Sequence, residues 1–207
     1  MTAIATGVLA TLTMSPAIAQ TPPPLTKQMI RPLNDAQKAI VAKDWATAKT
    51  KLDAATAQSK TPNDKVAIEQ LRIVMQSETK DHTGLAASLE SLLASGLITP
   101  EQTKQYRGVL AKAYGDAGDT AKSLAAFRVY VDAYGGNAEQ YLALAADGIK
   151  TKDYPTGIAY AKKSVDAAKA AGTKPTDTAY LLQMRAYKET NDMASYYAVE
   201  EALVAEY

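Results

Sequence analysis

The sequence predicts an all-α fold, a solenoid of about five antiparallel helix pairs. Alanine is abundant and the aromatics are almost all tyrosine, with one Trp and one Phe. Alanine is the strongest intrinsic helix former, and its small side chain lets helices pack closely. Five short polar turns each carry an aspartate: Lys43-Asp44-Trp45, Lys80-Asp81-His82, Gly118-Asp119-Thr120, Lys152-Asp153-Tyr154 and Asn191-Asp192-Met193. Those aspartates lie 37, 38, 34 and 39 residues apart. A repeat of that length with two helices per unit is the signature of a helical solenoid.

Each turn has a chemistry that ends one helix and starts the next. Gly118 and Asn191 suit the left-handed conformation that terminates a helix. The aspartate can cap the following helix, where its carboxylate meets unpaired amides and the positive end of the dipole. Pro155 falls in a first turn, which tolerates proline. Gly135-Gly136 reads as a helix stop before Asn137.

The units follow in order. The first has Ala36 and Ala39 before its turn, then Ala48, Leu52 and Ala55. The second has Ile73, then Leu85, Leu89 and Leu92. In the third, Leu110, Ala111 and Tyr114 precede the turn, and Ser123, Phe127 and Tyr130 follow it. The fourth sets Leu144, Ala145 and Gly148 against Gly157, Ala161 and Ser164. The fifth has Met184 and Tyr187, then Tyr196, Val199 and Leu203. Three- and four-residue steps place each set on one helical face, and small residues opposite large ones allow close approach.

The third unit, Leu110-Ala111-x-x-Tyr114…Gly118-Asp119-x-x-x-Ser123-x-x-x-Phe127, resembles a tetratricopeptide repeat. Lys152-Asp153-Tyr154 and Lys43-Asp44-Trp45 match the turn and the aromatic after it. The resemblance covers residues 34–207 as about five units and implies a right-handed superhelix. Three positions depart from the pattern: Gln76 stands where an aromatic is expected, Leu85 where a small residue is expected, and Glu200 where a buried apolar residue is expected. The last departure points to a one-residue offset or an irregular last pair. Spacings above 34 imply longer helices or inserted turns, for example at 96–100.

The resemblance also implies a concave groove, lined by the first helix of each unit, that holds an extended peptide or a helix. Carried onto this sequence, the face comprises Gln70, Val74 and Ser77; Gly108, Lys112 and Gly115; Leu142, Ala146 and Ile149; and Leu181, Arg185 and Lys188. Its candidate binding set is Lys112, Leu142, Ile149, Leu181, Arg185 and Lys188. Apolar anchors beside cationic heads suit a peptide with apolar side chains and an acidic group. An unspecialised solvent face is the competing reading of the same residues.

The N-terminal segment reads as an address. Residues 1–20 carry no charged side chain, residues 3–14 are mostly apolar, and Ala17-Ile18-Ala19 puts small residues where a signal peptidase reads. The expectation is a signal peptide over 1–19, although the Lys or Arg that usually precedes the apolar core is missing. The alternative, a membrane anchor, needs about 20 apolar residues, and Thr11, Thr13 and Pro16 interrupt this stretch. Thr21-Pro22-Pro23-Pro24 opens a proline-rich linker expected over 20–33. No later segment is apolar enough to span a membrane. The protein is therefore expected to be periplasmic or secreted.

The rest of the composition narrows the function. A formal charge of +1, from 23 basic and 22 acidic residues, lacks the basic footprint of non-specific nucleic-acid binding. The absence of cysteine removes disulfides, thiolate metal sites and cysteine nucleophiles. The only histidine, His82, falls in a turn and reads as a solvated residue at a helix start. All twelve tyrosines lie from Tyr106 onward; most sit at packing positions, while Tyr141, Tyr180, Tyr197 and Tyr207 are candidates for a contact surface. The expectation is a non-catalytic protein–protein interaction scaffold of the bacterial cell envelope, with no cofactor and no metal. The alternatives are a regulatory or helper subunit of an envelope enzyme, or a hydrolase. Helical sequence running to Tyr207 without a polar capping helix raises self-association through the C-terminal pair.

Overall fold

A computed structural model describes residues 25–207; the expected signal segment 1–19 and Thr21-Pro22-Pro23-Pro24 lie outside them. Ten helices fill the described residues: α1 (Lys27–Val41), α2 (Trp45–Gln58), α3 (Pro62–Thr79), α4 (His82–Ser95), α5 (Pro100–Asp116), α6 (Thr120–Tyr134), α7 (Ala138–Lys150), α8 (Tyr154–Ala170), α9 (Asp177–Glu189) and α10 (Met193–Glu206). Each packs on the next in chain order, forming five hairpins in a row. Among the described residues no helix is long and apolar enough to cross a membrane.

The turns inside the pairs are built by one mechanism. The amides of Thr47, Gly84, Lys122, Thr156 and Ser195 donate to the carboxylates of Asp44, Asp81, Asp119, Asp153 and Asp192 at 2.9–3.3 Å. The residue before each aspartate adopts positive φ: Lys43, Lys80, Gly118, Lys152 and Asn191. Three of these are lysines, which have no intrinsic liking for that region. The turn itself compensates. Asp44, Asp81, Asp119 and Asp192 each donate their amide to the carbonyl five residues back, on Ala39, Gln76, Tyr114 and Tyr187. This closes the preceding helix with bonds that its last carbonyls otherwise lack.

Between pairs the starts are reciprocal caps. Thr61 with Asp64, Thr99 with Gln102, and Asn137 with Gln140 each form a capping box at α3, α5 and α7. Gly135, at φ +81°, ends α6 as its position before Asn137 predicts.

The first helix starts earlier than the expected boundary at residue 34. Residues 27–33, assigned to a linker, belong to α1, and Pro32 lies inside it. Met29, Leu33, Ala36 and Ile40 form one buried stripe against Leu52 and Ile68. Burying those side chains at roughly 1.5–3 kcal/mol for each large one outweighs the ~3 kcal/mol of an internal proline. The N-terminal end is fastened by Asp64, which is fully buried on α3. It accepts hydrogen bonds from the amide and hydroxyl of Thr26 and from the amides of Lys60 and Thr61. Burial pushes its carboxyl upward, but these donors outweigh burial and hold it at about 2.

The core runs along the stack as successive apolar clusters. Leu85, Leu89 and Tyr114 join α4 to α5, and Val131, Leu144 and Tyr160 join α6, α7 and α8. Gly148 and Gly157 let α7 and α8 touch backbone to backbone: a Cβ on Gly148 would lie 2.7 Å from the Gly157 nitrogen. The joint between α6 and α7 is the thinnest of the consecutive contacts. Across it, the Tyr160 hydroxyl reaches both oxygens of Asp132 at 2.8 Å.

Candidate binding surface

The six candidate residues divide into three groups. Leu181, Arg185 and Lys188 stand on the solvent side of α9, with Leu181 49% exposed. Their i, i+4, i+7 spacing makes one stripe. Neither Arg185 nor Lys188 pairs with an acid among the described residues. Leu142, half-buried on α7, joins the cluster of Val165, Ala179 and Tyr180. Helices α7 and α9 are backbone neighbours, but the cluster that Leu142 joins lies on the packed side of α9, away from the stripe.

Ile149 is a correction. It is 3% exposed and packs over Gly157, whose added Cβ would lie 2.6 Å from the Ile149 Cδ1. The close approach of α7 and α8 leaves a space that only this side chain fills, so Ile149 is core. Lys112 is exposed on α5, but its ammonium pairs with Asp116 one turn on. The backbones of α5 and α7 are not neighbours, so Lys112 stands apart from the α9 cations. Of the six, Leu181, Arg185 and Lys188 thus form one exposed stripe.

The opposite side of α9 contributes to a cleft of about 350 Å³ between α8, α9 and α10. Val165, Tyr180, Gln183, Tyr187, Val199 and Ala202 line it, with Lys162 and Asp166 at the rim. At about 100° per residue, Tyr180, Gln183 and Tyr187 lie roughly 130° around the helix from Leu181, Arg185 and Lys188. The cleft and the cationic stripe are therefore separate features of one helix. The Tyr180 ring closes the cleft floor; burial raises its hydroxyl pKa, opposed in part by Lys169. Its hydroxyl donates to Glu206 at 3.2 Å, and Lys169 pairs with the same carboxylate at 3.0 Å.

The other tyrosines have structural duties. Tyr141 stacks on Tyr160, and its hydroxyl accepts from the Gly136 amide. Tyr114 donates to Glu90 on α4, and burial first, then this carboxylate, push its pKa up to about 12. Burial and Asp132 raise Tyr160 further still. Tyr197 and Tyr207 remain exposed, although the Tyr207 hydroxyl donates to the Pro175 carbonyl. His82 is the first residue of α4, its Nδ1 3.7 Å from Asp116 on α5. Among the described residues no three histidine or acidic side chains converge as a metal site would require.

One further surface lies on the C-terminal pair, where the sequence raises Tyr197, Tyr207 and self-association. Helix α10 buries none of its residues fully and exposes Met193, Tyr197, Val204 and Tyr207. The signal was present: a helix whose apolar residues occupy every side asks for cover on every side.

Fold and surface together define a class: an all-helical array of hairpins, with an open apolar and cationic face on its last pairs. Compared with known proteins, the chain matches no family model and no curated sequence.

Proposed function

We propose that the protein is a non-catalytic scaffold of the cell envelope that holds a peptide or protein partner on the exposed face of α9. The observation that carries this reading is the α9 stripe. Among the described residues Arg185 and Lys188 have no acidic partner and project beside the exposed Leu181, on a helix whose other side is locked by Ala179, Tyr180, Met184 and Ala186. A rigid helix offering an apolar anchor and two free cations suits a partner segment with an apolar side chain flanked by carboxylates. The likeness of the third unit to a tetratricopeptide repeat supports a binding role, and the apolar segment with Ala17-Ile18-Ala19 supports export.

A photo-cross-linking residue at position 181, in the protein expressed in its own envelope, would identify the partner. With that partner purified, Arg185→Glu with Lys188→Glu is expected to weaken binding at least about tenfold, or 1.4 kcal/mol. Lys112→Glu is expected to leave binding unchanged. Unchanged binding by the double α9 variant, with helicity intact, would place the partner elsewhere.

A further inference from the structure

Three of the second helices, α4, α6 and α8, share one register of covered positions, of which α2 keeps only Leu52, and α10 carries the same positions exposed. Counting from the first residue of each second helix, positions +4, +7 and +11 are Ile158, Ala161 and Val165 in α8 and Leu124, Phe127 and Val131 in α6. In α4 they are Ala86, Leu89 and Leu93. All are buried or half-buried, and the side chains of the following pair pack over these stripes: Val165 lies with Ala179 and Tyr180, and Leu124, Phe127 and Val131 with Leu144. The same positions in α10 are Tyr197, Glu200 and Val204, with Met193 at the start and Tyr207 at +14. Tyr197 is 56% and Val204 72% exposed. Glu200 therefore needs no offset of the helix. Among the described residues Tyr197, Glu200 and Val204 are in register and exposed, while Tyr207 is held at the Pro175 carbonyl under the Lys174 ammonium.

The pattern says that a helix belongs there, and the charge says which kind. Helix α10 holds Glu200, Glu201 and Glu206 and no lysine or arginine. Glu206 is engaged by Lys169 and Tyr180, whereas Glu200 and Glu201 have no ion pair among the described residues. Among the described helices, α1 alone has no preceding pair to sit on. Its solvent side carries Ile30, Val41 and the cations Lys27, Arg31 and Lys38 against one acid, Asp35. That side also forms a shallow recess of about 360 Å³ lined by Asn34, Gln37, Lys38, Val41 and Ala42.

We propose that α10 docks the α1 of a second copy of this chain, head to tail, continuing the stack across the molecular boundary. The Tyr197 and Val204 side chains meet Ile30, Val41 and the recess between them, while Arg31 and Lys38 face Glu200 and Glu201. Two α10 faces pressed together would oppose like charges, so a symmetric tail-to-tail dimer is disfavoured. Because the contact joins different surfaces, each copy keeps one free end and association has no built-in stop at two.

Sedimentation of the purified full chain over a wide concentration range tests this. The mean mass is expected to rise with concentration without a plateau at the dimer. Tyr197→Asp with Val204→Asp on α10, and separately Arg31→Glu with Lys38→Glu on α1, are each expected to weaken self-association at least tenfold. All four side chains lie outside the core, and circular dichroism is expected to show both variants helical. Mixed together, the two variants are expected to form a one-to-one complex and nothing larger, since each retains one intact end. Glu200→Lys with Glu201→Lys is expected to restore association to the α1 variant. A chain that stays monomeric at every concentration would overturn the proposal. A dimer sensitive to the α10 changes but not to the α1 changes would overturn it in favour of tail-to-tail pairing. An intramolecular cross-link between residues 1–24 and α10 would overturn it in favour of that segment.

Discussion

Asp64 and Lys80 show opposite ways in which one residue depends on its place. Asp64 is buried and satisfied by donors from two segments, 38 residues apart in the case of Thr26. Asp64→Ala leaves those amides without an acceptor and is expected to cost about 3 kcal/mol, measured by urea unfolding. Its folded pKa of about 2 lies below the ordinary 3.8. The stability it supplies is therefore present above about pH 4 and lost as pH falls toward 2; in Asp64→Ala that acid-dependent component is expected to vanish. Lys80 sits at φ 56°, a strain of roughly 1–2 kcal/mol for a side chain with a Cβ, against the 0.5–1 kcal/mol entropy cost of glycine. Lys80→Gly is expected to stabilise by about 0.5–1 kcal/mol, read as a raised Tm. The aspartate caps were legible because a cap needs only its own turn. The lysines beside them were not, since the backbone bonds of the turn, and nothing in lysine, impose the left-handed conformation. Asp64 carries no local sign of burial, and its partner Thr26 is too far along the chain to be inferred from spacing.

Helix pairs are held by features of different kinds. In α7 and α8 the helices touch backbone to backbone at Gly148 and Gly157. Gly148→Ala would press a methyl into the Gly157 backbone, and backbone cannot yield as a flexible side chain can. The expected loss is about 1–3 kcal/mol by overpacking, despite the better helix propensity of alanine, measured by thermal and urea unfolding. The same glycines explain why the candidate face was only partly legible. Ile149 has the spacing of a groove residue, but the gap left by Gly157 draws it into the core, a three-dimensional event that spacing does not encode. Leu181, Arg185 and Lys188 were legible because a helix with its opposite side packed leaves no choice of face. The start of α1 was missed for a related reason. Pro32 reads as a breaker locally, and only the burial of Met29 and Leu33 on other helices overrides it.

Over the whole molecule, Tyr114, Tyr160 and Tyr180 bind carboxylates of other helices: Glu90 of α4, Asp132 of α6 and Glu206 of α10. Burial raises the pKa of all three above the ordinary 10. A raised tyrosine supplies stability that is fully present below about pH 10 and lost as pH rises through the folded pKa, near 12 for Tyr114. Stability is thus expected to decline between about pH 10 and 12, followed by urea titration at each pH, with a smaller decline in Tyr160→Phe. The thin joint between α6 and α7, spanned by that tyrosine, also has a mechanical meaning. A chain of hairpins pulled from its two ends carries the same tension through every joint, and this one resists it through the Val131, Leu144 and Tyr160 core and the Asp132 bonds rather than through close backbone packing. Under force the protein is expected to extend in two steps, opening between Tyr134 and Ala138 before either half unravels, which makes the array a spring with a set breaking point rather than a uniform rod.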